Sequence, residues 1–226
     1  MAATVRAVPA LKTFTLARAR AGVDAEQLAA FWQSVHAANV VRHMTPDRYT
    51  LSFFDPRNGR SPYNGMAELG YDDAERGRSV TGANIPAGAA ADGWSDLVEL
   101  PTTWLRAAEH VIVAGPDGVA AGRAEREAAF KLTFLITARD GVDAETVRRH
   151  WLEVHVPNFR ERFVESGGVR YVVNLAERAT GENLVGLAEL SYRDRAAAAA
   201  HQPPDDGFKD LIVLRALPGR EVLVTV

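Results

Sequence analysis

The chain has no cysteine among its 226 residues, and this absence excludes disulfides, thiolate metal ligands and a cysteine nucleophile. It also lacks any run of 18 or more apolar residues, which a membrane-spanning helix would need. Residues 1–11 carry no long apolar core of the kind found in export signals. We therefore expect a soluble, cytoplasmic protein with no membrane partner.

An excess of charge of one sign is lacking as well. The chain has 26 lysines and arginines against 29 aspartates and glutamates, so its net charge is only −3. Neither half carries a basic stripe or a block of like charges, which nucleic-acid-binding domains usually show. We expect no nucleic-acid partner.

Cofactor-binding motifs are missing too. The chain has no Gly-x-Gly-x-x-Gly, no phosphate-binding Gly-Lys-Ser/Thr and no Gly-x-Ser-x-Gly, which argues against NAD, FAD and ATP and against a serine hydrolase. The six histidines show neither zinc-ligand spacing nor the acidic partner set of non-haem iron. We predict no metal and no cofactor, although a haem could still take one histidine as its axial ligand.

What the chain does contain is an internal repeat. The segment Gly22–Glu26 returns as Gly141–Glu145, and His36 returns as His155, in both cases 119 residues later. Residues 12–42 and 131–161 align without a gap and share 13 identities in 31 positions. The repeat therefore predicts two similar halves. It also allows residues kept in both copies to be compared with those that differ.

Each half is expected to follow the order β-α-β-β-α-β. In the first half, strands are predicted at 11–19, 48–55, 65–71 and 109–114, with helices from Asp24 and over 72–81. In the second, strands are predicted at 130–138, 170–177, 183–192 and 221–226, with helices over 143–165 and 194–201. Residues 82–93 read as a mobile connection and residues 115–128 as a linker between repeats 1–114 and 129–226.

This order is that of a ferredoxin-like unit, an antiparallel sheet with both helices on one face. The other face of each sheet is left bare. We predict an α+β protein in which two tandem ferredoxin-like repeats join their bare faces into an intramolecular α+β barrel with an interior pocket.

A strand, a Gly-Val-Asp cap and a helix ending Trp-x-x-x-His-x-Pro-Asn resemble the EthD-type domain family of the dimeric α+β barrel superfamily. His155, Pro157 and Asn158 match the pattern, whereas the first copy has His36 and Asn39 without the proline. The resemblance covers both halves. The superfamily includes cofactor-independent monooxygenases, polyketide cyclases, isomerases, hydroxynitrile lyases and, in distant branches, haem enzymes. The resemblance leaves open a homodimer of the whole tandem chain.

The candidate catalytic residues are His36 and His155. Each directly follows a valine, Val35 or Val154, that is expected to face the core, so each imidazole should lie at the border of the apolar stripe. An imidazole with a pKa near about 6.5 can take and return a proton near neutral pH. The alternative is a histidine that supports the fold. If one copy alone is active, we expect His155, because its copy holds the whole family motif.

Three further repeated residue types are candidate substrate contacts. The asparagines lie three residues beyond each histidine, the tyrosines open the second strands, and the glutamates alternate with apolar residues on the third strands. The alternatives are a cap or turn residue after Pro157 and core packing for the tyrosines. For the glutamates they are a solvated or interface carboxylate that can pair with arginine, or a buried carboxylate whose raised pKa would let it act as a base. The candidates are Asn39, Asn158, Tyr49, Tyr171, Glu68 and Glu189.

These residues predict a cofactor-independent enzyme that moves protons with histidine on a hydrophobic aromatic or polyketide-like small molecule. Dehydration, cyclisation or decarboxylation, that is lyase or cyclase chemistry, is expected first. One alternative is a cofactor-independent monooxygenase of a phenol- or anthrone-like substrate. The other is a small-molecule-binding accessory protein without catalysis.

Overall fold

A computed structural model describes residues 9–55, 61–115, 122–180 and 184–225 of the chain. Residues 116–121 of the predicted linker lie outside the described residues, as do residues 1–8 of the first predicted repeat and the strand ends at 183 and 226. The rest of the linker contains a short helix, Arg123–Ala128.

The described strands and helices of the first half follow the predicted order. Its elements are β1 Leu11–Ala17, α1 Ala25–Phe31, a π-helical turn Trp32–His36, α2 Ala37–Met44, β2 Arg48–Phe54, β3 Gly65–Tyr71, α3 Ala74–Ser79, short 3-10 turns Gly82–Asn84 and Ala87–Ala90, α4 Trp94–Leu97 and β4 Thr103–Val113.

The second half repeats this order. Its elements are α5 Arg123–Ala128, β5 Phe130–Ala138, α6 Ala144–His150, a π-helical turn Trp151–His155, α7 Val156–Glu165, β6 Gly168–Ala179, β7 Leu184–Tyr192, α8 Arg195–Ala200, α9 Phe208–Leu211 and β8 Ile212–Thr225. The protein is thus of the predicted α+β class.

The described chain divides into two compact units. The first unit contains residues 9–108, 177–180 and 221–225, and its sheet has the antiparallel strand order β4-β1-β3-β2. The second unit contains residues 109–176 and 184–220, with the antiparallel order β6-β7-β5-β8.

Alternation along the strands gives each sheet two different faces. In the first unit Leu11, Tyr49 and Leu69 belong to the core cluster that also contains helix residues such as Leu28 and Trp32. The residues that alternate with them point to the opposite face. Helices therefore cover one face of the sheet, and the candidate histidines are carried on that side.

The long helix of each half buries every fourth residue. A step of four residues over-rotates a regular α-helix by about 40°, and the π-helical turn takes up this excess because its hydrogen bonds span five residues. In the two halves the stripe consists of Leu28, Trp32, His36, Val40 and Met44, and of Val147, Trp151, His155, Phe159 and Phe163.

The expectation that Val35 and Val154 face the core is therefore wrong. Both valines are exposed, at 41% and 39%, while the histidine after each of them turns inward. The regular 3.6-residue period on which the prediction rested does not hold through the π-helical turn.

Two predicted strands begin much earlier than expected. β4 starts at Thr103 rather than at 109, because Thr103–Ala107 pairs with Leu16–Lys12 of β1. β8 starts at Ile212 rather than at 221, and Ile212–Gly219 pairs with β5. Pairing with a neighbouring strand fixes where both strands begin, and the sequence alone does not show that pairing.

Candidate active site in the first unit

His36 forms a buried pair with Asp92. The π-helical turn directs the imidazole toward the helix-covered face of the sheet, and its Nδ1 lies 2.9 Å from Asp92 Oδ2. The second carboxylate oxygen, Oδ1, accepts a hydrogen bond of 3.1 Å from the backbone N–H of Trp94. This second hydrogen bond fixes the orientation of the Asp92 carboxylate, which in turn fixes the orientation of the histidine ring.

Trp94 packs against one face of the His36 imidazole. Its ring stacks on that of His36 with centroids 4.0 Å apart and planes inclined by 6°. Gly93, between Asp92 and Trp94, has φ +92°, a left-handed conformation that glycine adopts without the steric cost of a side chain. This turn lets one short segment supply both the carboxylate and the stacking ring.

Burial and the carboxylate act in opposite directions on His36. Desolvation is the larger influence and lowers the pKa of the imidazole below its usual value, while the hydrogen bond and charge of Asp92 raise it. A neutral ring at pH 7 follows. Because Asp92 favours the tautomer with the proton on Nδ1, Nε2 is the nitrogen that can accept a proton from a ligand.

Tyr49 supplies a hydroxyl beside this pair. Its oxygen accepts a hydrogen bond of 3.2 Å from Trp32 Nε1, and the Trp32 ring lies 4.6 Å from that of Trp94. Burial raises the pKa of Tyr49 far above its usual value. The hydroxyl keeps its proton at any ordinary pH and can donate it to an oxygen of a bound molecule.

These side chains border a cavity of about 1040 Å³. Ligand pockets usually measure about 300–1,000 Å³, so this volume suits a small molecule of several rings. All of its lining residues belong to the first unit. On its inner side they are mostly apolar, and they include Thr15, Trp32, His36, Val40, Met44, Tyr49, Ala67, Leu69, Ala89 and Trp94.

This cavity is not the chamber that we predicted between the bare faces of the two sheets, which stays a prediction. It lies between the sheet of the first unit and the helices that cover it, because Tyr49 and Leu69 face the same core as Trp32.

The second unit repeats the histidine pair. His155 Nδ1 lies 2.9 Å from Asp206 Oδ2, and Phe208 stacks on the imidazole at 4.4 Å. Trp151 Nε1 donates to the hydroxyl of Tyr171 at 3.2 Å, as in the first unit. Burial again lowers the pKa of His155 as the largest influence.

Large rings occupy the space beside His155. Phe159 lies 5.2 Å from the His155 ring and 5.1 Å from that of Tyr171. The residues 119 positions before Phe159 and Phe163 are Val40 and Met44, which line the cavity of the first unit. The smaller side chains of Val40 and Met44 leave space for the cavity in the first unit, whereas the phenylalanines occupy the equivalent space in the second.

The two asparagines do not occupy equivalent positions. Asn39 Nδ2 donates to the carbonyl oxygen of Gly88 at 2.7 Å and so ties α2 to the segment 82–93. That segment is not the free connection we expected, since it contains two 3-10 turns and the buried Ala89. Asn158 is exposed on α7, which continues past Pro157 rather than ending there.

The two glutamates lie on the sheet face that is not covered by the helices. The alternation of polar and apolar residues along the strands predicted this orientation. Glu68 pairs with Lys12 at 2.8 Å, and Glu189 pairs with Lys131 at 2.7 Å. Glu189 also accepts a hydrogen bond of 2.9 Å from Asn174. Each glutamate thus has a lysine partner, and neither glutamate lines the cavity.

Asp92 and Trp94 are the site residues that the sequence prediction missed. The signal was a second repeat, Asp-Gly-aromatic-x-Asp-Leu, at residues 92–97 and 206–211. Its displacement is 114 residues rather than 119, since the intervening loops differ in length. A comparison confined to one displacement therefore does not find it.

Neither a metal site nor a membrane span is found in the parts of the chain that the structure describes. No cluster of three or more histidine, aspartate or glutamate side chains there could hold a metal ion. None of the helices described is both long enough and apolar enough to cross a membrane.

Comparisons with known proteins identify the fold. A crystal structure of an anthrone oxidase-like protein matches 94% of this chain and 91% of its own, with 11% identity and a TM-score of 0.64. The chain has the fold of that protein. A provisionally assigned monooxygenase from Fusobacterium nucleatum matches 96% of this chain and 93% of its own, with 13% identity and a TM-score of 0.59.

Chlorite dismutase shares this fold as well. A mutant enzyme from Candidatus Nitrospira defluvii matches 93% of this chain and 90% of its own, with 10% identity and a TM-score of 0.55. These proteins belong to the dimeric α+β barrel group. No family model and no curated protein matches the chain, so the EthD-type assignment stays a prediction.

Proposed function

We propose that the protein is a cofactor-independent enzyme that binds a flat hydrophobic molecule in the cavity of the first unit and uses His36 as its base. One observation carries the proposal: an imidazole oriented by Asp92 borders a large, mainly apolar cavity. The pair resembles other catalytic sites in which a carboxylate fixes the tautomer of a histidine and stabilises its protonated form.

Oxygenation of a phenol- or anthrone-like substrate fits this site best. His36 Nε2 takes a proton from the activated carbon, and the resulting carbanion donates an electron to dioxygen and combines with it. The imidazolium returns the proton to the peroxide, which loses water to leave a ketone. A CH₂ group and one O₂ thus become a C=O group and one H₂O.

Tyr49 and Asp92 have separate parts in this scheme. The Tyr49 hydroxyl donates to the substrate oxygen on which negative charge develops, because its own proton is firmly held. Asp92 stabilises the imidazolium that forms after proton transfer. The structural likeness to an anthrone oxidase-like protein and a provisionally assigned monooxygenase supports oxygenation over the lyase or cyclase chemistry expected from the sequence.

We further propose that catalysis is confined to the first unit. The sequence favoured His155, but Phe159 packs beside its ring at 5.2 Å, and Phe163 packs in turn on Phe159 and Tyr171. The second histidine pair then serves the fold. We retain as proposals that the halves are tandem ferredoxin-like repeats, that they form an intramolecular barrel and that they belong to the EthD-type family.

Haem binding is the second candidate function, and the same histidine pair favours it. Metal-bound histidines usually donate their other ring N–H to a carboxylate, as His36 can to Asp92. His36 would hold the haem through Nε2, and the haem would supply redox chemistry. A haemin titration of wild type and His36→Ala tests this candidate, since specific ligation shifts and sharpens the Soret band of free haemin and the variant should not show that shift.

Oxygen uptake with anthrone tests the proposed reaction. The wild-type protein should consume one O₂ for each anthraquinone formed, and Val40→Phe should abolish turnover by filling the cavity as Phe159 does in the second unit. Phe159→Leu, the matched change in that unit, should leave turnover unchanged. Unaltered turnover in a folded Val40→Phe protein would place the reaction elsewhere.

A further inference from the structure

Three arginines line the cavity at a distance from His36. They are Arg78 at the end of α3, Arg106 on β4 and Arg178 on β6. No aspartate or glutamate lines this cavity among the residues described. Because Arg106 is paired with Glu177 at 3.1 Å, two positive charges remain at this part of the cavity that an anion could pair with.

The strand order separates the arginines from the base. Tyr49, which marks the His36 end, lies on β2, whereas Arg106 lies on β4 at the other side of the order β4-β1-β3-β2. Neighbouring strands are about 4.8 Å apart, so three intervals separate these ends by about 14 Å. Arg106 is opposite Thr13 and shares the helix-covered face with Trp104, which is opposite Thr15.

Short contacts bring the other two arginines to the same end. The backbone N–H of Thr180, two residues after Arg178, donates to Trp104 O at 2.8 Å. Gly82, four residues after Arg78, packs on the Trp104 ring, since a Cβ placed there would lie 3.4 Å from it. Trp104 therefore forms the centre of the arginine end.

Two of the three guanidinium groups are available to a ligand. Arg106 Nε is held by Glu177 at 3.1 Å, which fixes its position and offsets one charge. The side chains of Arg78 and Arg178 are exposed and have no ion pair or hydrogen bond within the described part of the chain. Guanidinium groups bind planar carboxylates through paired hydrogen bonds.

We propose that the substrate is an aromatic molecule of two or more fused rings that carries a carboxylate on the side remote from its reacting carbon. The carboxylate binds Arg78 and Arg178, the rings lie across the apolar part of the cavity, and the reacting carbon meets His36 Nε2. This inference rests on the proposed function and adds the charge and the length of its substrate.

Binding of a matched pair of fluorescent probes tests the inference. The carboxylate of 2-anthracenecarboxylate is replaced by an uncharged group of similar shape in 2-anthracenecarboxamide. The wild-type protein should bind the acid about ten-fold or more tightly than the amide at low salt. Raising the salt concentration should weaken binding of the acid alone, because ions screen charges at an exposed site.

Three variants locate the effect. Arg78→Ala and Arg178→Ala should each weaken binding of the acid by about three- to ten-fold and leave binding of the amide within two-fold. Arg42→Ala, which removes an exposed arginine of the same unit away from the cavity, should change neither. Equal affinities for acid and amide, or undiminished binding of the acid by both cavity variants, would overturn the inference.

The outcome is separable from that of the proposed reaction. Charge discrimination by the arginines together with turnover that survives His36→Ala would refute the chemistry and keep the substrate class. Turnover that requires His36 without any preference for the acid would refute the substrate class and keep the chemistry.

Discussion

Replacing the two repeated histidines one at a time separates catalysis from fold support. His36 and His155 have the same Nδ1–carboxylate distance of 2.9 Å and each stacks on an aromatic ring. His36 borders the cavity, whereas phenylalanines surround His155. The two alanine variants should therefore lose similar stability and very different amounts of activity.

The expected sizes follow from these contacts. A hydrogen bond to a carboxylate contributes about 1.5–3 kcal/mol and a stacked ring pair about 0.5–1.5 kcal/mol, so each variant should lose roughly 2–4 kcal/mol of unfolding free energy. A positioned general base contributes about 10²- to 10⁴-fold in rate. At 1.36 kcal/mol for each factor of ten, His36→Ala should raise the activation barrier by about 3–5 kcal/mol.

The assay measures kcat/KM and urea unfolding on the same samples at 25 °C, with folding checked by circular dichroism. His36→Ala should lose at least 100-fold in kcat/KM, and His155→Ala should stay within two-fold of the wild type. Equal losses of activity in the two variants, or a loss below ten-fold for folded His36→Ala, would refute the assignment of the base.

Two further predictions concern stability. Burial lowers the pKa of His36 and His155 in the folded state, so the unfolded chain takes up protons first as the pH falls below about 6.5. Stability is therefore retained above that pH and decreases below it until the folded-state pKa is reached, by about 1.4 kcal/mol per pH unit for each imidazole. Between pH 7.5 and 5.5 the urea midpoint should decrease less in His36→Ala/His155→Ala than in the wild type. Equal decreases in the two proteins would contradict this prediction. Lys131→Met should lower the free energy of unfolding by about 3–5 kcal/mol because it removes the ammonium partner of the fully buried Glu189. The double variant Lys131→Met/Glu189→Leu should recover most of that loss in urea unfolding. Lys209→Met, at an exposed pair, should leave the midpoint unchanged, and a similar small effect for Lys131→Met would show that the buried pair matters little.

The repeat made much of the architecture predictable. Asp24 and Asp143 mark both long helices because their side chains cap the first turn, and Gly22 and Gly141 precede them with positive φ. The sequence also placed Glu68 and Glu189 opposite the core face, since strand parity depends on local geometry alone.

The details of the site were less predictable, each for a physical reason. The π-helical turn shifts the buried stripe from Val35 to His36, and no local residue preference announces it. Asp92 reaches His36 only through tertiary folding across 56 residues. The cavity depends on Val40 and Met44 being smaller than the phenylalanines at the equivalent positions of the second unit. This difference in side-chain volume could be interpreted only after the structure had placed these positions near the two histidines.

The most direct test of the central claim is a crystal structure of the protein with bound 2-anthracenecarboxylate. We predict ligand density in the cavity of the first unit, with the ring system next to His36 and the carboxylate at Arg78 and Arg178. The space beside His155 should remain filled by Phe159. Ligand density beside His155, or a ligand outside the first-unit cavity, would contradict the account.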